Sequence, residues 1–211
     1  MVCAALLALG ASTARADGGL AFVPEDQVAI TIVDNKIVGV VGAGFAAVEV
    51  DLELGEDVIA IRTQGFMGVV ATDRRLLAIG SRESNFSELR YRIAEKPVGA
   101  DQIHVLDRLA LVELSTRLVA FSQQLNNWVE LDLGPREKPI QVVADGNIAT
   151  VITPRRAIAV SPRSAGFIEF GLGPKEKVER ATLGDASVTL VLANRILIFR
   201  ENDKSWSSLI R

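Results

Sequence analysis

Short apolar runs, four to six residues long and separated by Gly, Pro, Asp and Asn, recur along almost the whole chain. Between residues 137 and 175, Ile140–Ala144 is apolar, Asp145-Gly146-Asn147 turns, and Ile148–Thr153 is apolar again. Pro154-Arg155-Arg156 turns next, Ala157–Ser161 is apolar, Pro162–Gly166 turns, and Phe167–Leu172 alternates. Runs this short, rich in Val and Ile and bounded by turn residues, predict β-strands. The same phase near the start of the chain predicts strands over Leu20–Val23, Val28–Val33, Lys36–Val41 and Ala47–Leu52. After residue 16 no stretch keeps a helical period.

The pattern is periodic. LGPREKP at Leu133–Pro139 is echoed by LGPKEKV at Leu172–Val178, and the glutamates of the two phrases belong to a column. That column runs Asp17, Glu56, Glu95, Glu137, Glu176, at spacings of 39, 39, 42 and 39. A basic column, Lys36, Arg75, Arg117, Arg156 and Arg195, keeps step with it, each cation 20 residues before the next acid. Ala47, Phe86, Trp128, Phe167 and Trp206 form a third column, and Glu49, Glu88, Glu130, Glu169 and Ser208 a fourth. Three extra residues fall between Glu95 and Arg117. The repeats are 17–55, 56–94, 95–136, 137–175 and 176–211.

Four antiparallel strands in a unit of about 40 residues, repeated in tandem, is the pattern of a β-propeller blade. The expectation is an all-β protein, a five-bladed β-propeller of four-stranded antiparallel blades. Small residues recur within the second strand (Ala29, Gly68, Ala110, Ala149) and the third (Gly39, Ala78, Ala120, Ala159), where they would let blades approach. The fifth copy has Val188 and Ile198 there. On these columns the chain resembles bacterial β-propeller repeat proteins over residues 17–211. It lacks the GH…WD pair of WD40 blades, the paired glycines of kelch and the S-x-D-x-G-x-T-W box of sialidases, so the resemblance implies an architecture and no activity.

The N-terminal MVCAALLALGASTARADGG carries an apolar run, Val2–Ala11, too short to span a bilayer, followed by Ala14-Arg15-Ala16. That predicts a signal peptide over 1–16, cut next to the first repeat, and a periplasmic or secreted protein. No Lys or Arg precedes the apolar run, so the start codon itself is in question. Cleavage removes Cys3, the only cysteine, and Arg15, leaving 22 basic residues against 26 acidic. A cysteine-free acidic chain suits an oxidising compartment and argues against a general nucleic-acid binder. No span is predicted in the mature chain.

Strand alternation puts the basic and acidic columns on one face of the disc. Lys36, Arg74, Arg75, Arg117, Arg155, Arg156 and Arg195 are therefore the candidate binding residues, a basic face able to hold an anionic partner. The competing reading is that each Arg pairs with a nearby Glu and stitches blades together. LGPREK has one glycine and no GK[ST], so it reads as a turn rather than a phosphate loop. His104, the only histidine, has no linked nucleophile and too few companions for zinc. The aromatic column suits packing between blades better than sugar stacking. Asp101, Asp145 and Glu25 are the nearest carboxylates to a central channel, and the last two share a turn position.

No catalytic residue, metal or cofactor is assigned from the sequence. The reading is an exported, non-enzymatic binding or scaffold module for a protein, a glycan or an envelope component. The alternatives are a glycosidase-like propeller hydrolase using channel-facing carboxylates, and a structural subunit of an envelope assembly. Because no N-terminal strand completes the last blade, the ring closes by side-chain packing of blade 5 on blade 1, or the chain oligomerises.

Overall fold

The computed structural model describes residues 27–41, 46–184 and 186–211. They form a five-bladed β-propeller, each blade an antiparallel meander in chain order. Blade 1 comprises β1 (Val28–Val33), β2 (Lys36–Val41) and β3 (Ala46–Asp51), and blade 2 comprises β4 (Val58–Gln64), β5 (Met67–Thr72), β6 (Arg75–Gly80) and β7 (Ser87–Arg90). Blade 3 has β8 (Ile103–Val105), β9 (Leu109–Glu113), β10 (Arg117–Ser122) and β11 (Asn127–Asp132). Blade 4 has β12 (Gln141–Asp145), β13 (Ile148–Ile152), β14 (Arg156–Val160) and β15 (Ile168–Gly171). Blade 5 has β16 (Val178–Gly184), β17 (Ser187–Leu192), β18 (Arg195–Arg200) and β19 (Ser205–Ile210). The strand expected at Leu20–Val23 lies outside the described residues. In the third repeat a 3₁₀ turn, Ala100–Gln102, leads into a β8 of only three residues, in the stretch where the sequence carries its insertion.

The middle strands explain why their sequences are continuous apolar runs rather than alternating ones. Every residue of β5, β6 and β10 is buried, because a neighbouring blade covers each face of the sheet. Outer strands such as β7 and β15 alternate half-buried with exposed residues. Blade 1 packs on blade 2 through Val28, Ile37 and Val41 against Val70, Leu77 and Ile79. Equivalent clusters join blades 2 and 3, 3 and 4, and 4 and 5.

The repeated small residues have a direct steric cause. A Cβ on Gly39 of β2 would lie 3.0 Å from Phe86 Cζ of the next blade. Ala78, Ala120 and Ala159 take the same place in the clusters that hold Trp128, Phe167 and Trp206. Each third strand thus keeps a shallow seat for the aromatic residue of the following blade. The two indoles are also hydrogen-bonded: Trp128 Nε1 donates to Ser87 O at 3.2 Å and Trp206 Nε1 to Ile168 O at 3.0 Å. Gly68 of β5 fills the opposite role, since a Cβ there would fall 2.5 Å from Ile30 Cδ1 of blade 1.

Among the described residues, blade 5 is closely packed on one face only. Val188, Leu190, Leu197 and Phe199 are buried against blade 4, whereas the alternate residues Thr189, Val191, Ile196 and Ile198 are half-buried. Their blade 4 counterparts Thr150, Ile152, Ala157 and Ala159 are buried. Among the described residues, no hydrogen bond, ion pair or apolar cluster joins blade 5 to blade 1.

Candidate functional site

The propeller has two unlike faces. One carries the turns between second and third strands and the links from each blade to the next. The other carries the turns between first and second strands and between third and fourth. The predicted basic face is the first of these, and its chemistry is that of the joints.

At the joint of blades 1 and 2, the Glu56 carboxylate accepts from Arg75 Nε and Nη2, each at 2.8 Å, and from Thr72 Oγ1 at 2.7 Å. It also closes its own turn by accepting from Glu53 N at 2.7 Å. Arg75 reaches Glu88 on its own blade at 2.6 Å and donates to Asp51 O on the blade before, at 2.8 Å. One guanidinium therefore holds the end of a sheet, the link and its own outer strand. The next joint repeats the scheme: Glu95 accepts from Arg117 Nε at 2.9 Å and Nη2 at 2.8 Å, while Arg117 donates to Arg90 O at 3.1 Å and pairs with Glu130. At the third, Glu137 accepts from Arg156 Nε and Nη2, both at 2.9 Å, and Arg156 donates to Asp132 O at 2.9 Å and pairs with Glu169. The fourth is thinner. Arg195 Nη2 pairs with Glu176 at 2.5 Å and Arg195 Nε, though buried, has no partner among the described residues. Lys36, at the same position in blade 1, holds Glu49 at 2.9 Å.

LGPREKP and LGPKEKV are these joints. Gly134 N donates to Glu137 Oε2 at 2.8 Å and Glu137 N returns to Gly134 O at 2.9 Å, with Pro135 and the left-handed Arg136 (φ 64°) between them. Gly173 N makes the same bond to Glu176 at 2.7 Å. Burial alone would raise the Glu56 and Glu137 carboxyls. The hydrogen bonds from Arg75 and Arg156, from threonine hydroxyls and from backbone outweigh it and hold both down at about 2. Glu95 is held low by the same opposition. Of the two extra cations, Arg74 donates to Leu54 O and Gly55 O at 2.9 and 3.2 Å and pairs with Glu53 at 3.3 Å, whereas Arg155 is exposed.

The other face has a different character. Its turns are tied to one another by backbone: Ser81 N donates to Phe66 O at 2.9 Å, Gln123 N to Arg108 O at 3.2 Å, and Phe66 N to Asp107 O at 3.1 Å. Gln123 Nε2 crosses between blades to Ser81 Oγ at 3.0 Å. These ties frame a solvent-open cavity of about 360 Å³, shared by blades 2 to 5, on which Arg82, Arg108 and Arg163 converge. Gln124 and Asn147 line it as well, and Asn147 Oδ1 is buried without a partner among the described residues. The Arg108 guanidinium lies over the Phe66 ring at 5.3 Å, and Arg163 donates to Asn202 Oδ1 at 3.1 Å. Among the described residues none of the three arginines has a carboxylate within 4.0 Å. The buried Glu201 also lines the cavity, leaving an excess of two positive charges.

The remaining candidates are dispersed. His104 Nε2 lies 2.8 Å from Glu113 Oε1. Asp145 Oδ1 accepts from Gly146 N at 2.8 Å and serves its turn; Asp101 sits in the 3₁₀ turn; Glu25 is outside the described residues. Among the described residues no group of three or more His, Cys, Asp or Glu side chains is arranged to hold a metal. Among the described residues no helix is long and apolar enough to cross a membrane.

Fold and site together define a β-propeller with one face of interlocked joints and one face with an arginine-lined cavity. No family model matches the chain, and no curated protein is similar to it in sequence. Solved structures match it only weakly. The N-terminal domain of Nup159 matches with a TM-score of 0.36 and 14% identity, over 88% of this chain and 58% of that one. YCF48 from Cyanidioschyzon merolae matches at 0.35 and 11%, over 77% and 58%. HIRA residues 644–1017 match at 0.41 and 10%, over 74% and 53%. The chain spans a little over half the length of each, and no role follows from likeness at this level.

Proposed function

We propose that the protein is an exported, non-enzymatic binding module that takes an acidic segment of a protein partner on the face opposite the joints. One contrast carries this reading. The arginines of the joint column are each tied to a carboxylate, whereas Arg82, Arg108 and Arg163, from three different blades, share one open cavity without one among the described residues. A planar guanidinium with unspent donors suits bidentate capture of a carboxylate. The amides of Gln124 and Asn147 supply further polar contacts, and the framework of joints keeps the cavity's turns in place before a partner arrives. Export rests on the N-terminal signal pattern and on the first repeat starting at its cleavage site.

The test is fluorescence anisotropy with a labelled hexaglutamate peptide at low salt, against a neutral glutamine peptide of equal length. The expected result is preferential binding of the acidic peptide, weakened at least tenfold in Arg82→Ser/Arg108→Ser/Arg163→Ser and little changed in Arg74→Ser/Arg155→Ser. Equal binding of both peptides, or loss only in the Arg74/Arg155 variant, refutes the site.

A further inference from the structure

The four joints share one steric rule, and the two blade faces without a partner among the described residues obey it in reverse. In every joint a small residue on the third strand of one blade (Gly39, Ala78, Ala120, Ala159) receives a large aromatic from the next (Phe86, Trp128, Phe167, Trp206). On blade 5 the seat is filled by Ile198, half-buried on the face turned away from blade 4. On blade 1 the aromatic position is Ala47, which is exposed. Large and small have changed places at just the two faces that have no described partner. A blade 5 face meeting a blade 1 face would place Ile198 opposite Ala47 and conserve the volume that an aromatic and an alanine fill elsewhere.

The polar parts match too. Each joint guanidinium donates to the carbonyl of the last residue of the preceding blade's outer strand: Asp51, Arg90, Asp132, then Gly171. These residues pair across their own sheets with Lys36, Arg75, Arg117 and Arg156, and Ile210 pairs with Arg195 in the same way. The Ile210 carbonyl is therefore the acceptor of a fifth joint, and its residue is 92% exposed. The matching donor is Lys36 of blade 1, whose ammonium carries three protons and whose recorded partners are the carboxylates of Glu49 and Asp51. Leu209, 55% exposed, and the half-buried Val191 and Ile196 on blade 5 would face Val38 and Val40 of blade 1, also half-buried.

We infer that blade 5 of one copy packs against blade 1 of a second copy, head to tail, as a fifth joint built on the reversed Ile198–Ala47 pair. The contact is heterologous, so it closes into a ring of copies or extends as a chain. It uses blade faces, not the arginine cavity, and stands or falls separately from the proposed binding role.

Size-exclusion chromatography with light scattering on the purified protein tests it. The expected mass is that of two or more chains, rising with concentration. Ala47→Trp and Ile198→Glu, both away from the core of their own chain, are each expected to give the single-chain mass with an unchanged circular dichroism spectrum. Ala47→Trp/Ile198→Ala restores the aromatic-on-alanine pairing of the other joints and is expected to recover association. A single-chain mass for the unmodified protein across the concentration range overturns the inference, as does association that neither single variant reduces.

Discussion

Replacing Glu56 by Gln probes a joint without changing its shape. The side chain of Glu56 is fully buried and accepts four hydrogen bonds, two on each oxygen: from Thr72 Oγ1 and Arg75 Nε on Oε1, and from Arg75 Nη2 and Glu53 N on Oε2. In Gln one of those oxygens becomes an NH₂ donor: turned one way it faces Arg75 Nη2 and Glu53 N, and turned the other it faces Arg75 Nε while Thr72 can redirect its proton to Arg75 O at 3.0 Å. A buried donor left without an acceptor costs about 1–3 kcal/mol. Arg75, 6% exposed in its side chain, keeps only Glu88 as a counter-charge among the described residues. Breaking a buried ion pair by removing one member costs about 3–5 kcal/mol. With a urea m-value of about 2.5 kcal/mol/M, the unfolding midpoint should fall by about 1.5 M. Glu176→Gln is the internal control. There the carboxylate holds Gly173 N and one nitrogen of a more exposed arginine, so its midpoint should fall by clearly less. Urea titrations of both variants, followed by far-UV circular dichroism, decide the matter. A Glu56→Gln midpoint equal to that of the unmodified protein, or a Glu176→Gln loss as large, would refute the account of the joints.

Acid should act through the same groups. Glu56 and Glu137 titrate at about 2 in the folded protein against an ordinary 4.5, so the unfolded chain takes up their protons first; the stability they confer is complete above about pH 4.5 and is lost as pH falls toward about 2. Urea midpoints from pH 7 to pH 2 should show that decline, shallower in Glu56→Gln, and an identical decline in the variant would contradict it. Gly39→Leu should destabilise by about 1–3 kcal/mol through collision with Phe86, whereas Gly171→Ala, with nothing within 4 Å of the added Cβ, should leave the midpoint unchanged. Export predicts that N-terminal sequencing of protein recovered outside the cytoplasm reads Asp17 first; a chain starting at Met1 there would contradict cleavage.

The repeat was readable because the joints demand uniformity. Each of the four joints needs the same acid, cation and small residue, so those columns recur at about 39 residues and put the strands of the fourth repeat within a residue or so of their observed places. The same uniformity drew attention to the basic face as a binding surface. Charge alone could not show that the Arg75, Arg117 and Arg156 guanidiniums spend their donors on link carboxylates and on carbonyls of the blade before, because those partners lie on separate strands brought together only by the ring. The cavity was hidden for the opposite reason. Its residues occupy columns that vary from blade to blade: Phe66, Arg108, Asn147, Ala186 in one, and Arg82, Gln124, Arg163, Asn202 in another. Variation within a repeat position that turns always occupy was the available signal, since only an asymmetric surface can favour one partner.

The division of labour between the two sets of arginines is the centre of the account, and the urea midpoint of Arg82→Ser/Arg108→Ser/Arg163→Ser beside that of Arg117→Ser tests it most directly. Replacing three exposed arginines outside the joints should leave the unfolding free energy from that titration within about 0.5 kcal/mol of the unmodified protein's. The single change at Arg117, which strips Glu95 and Glu130 of their shared cation, should lower it by about 3–5 kcal/mol. A triple variant as unstable as Arg117→Ser would contradict the claim that the cavity arginines are free for a ligand.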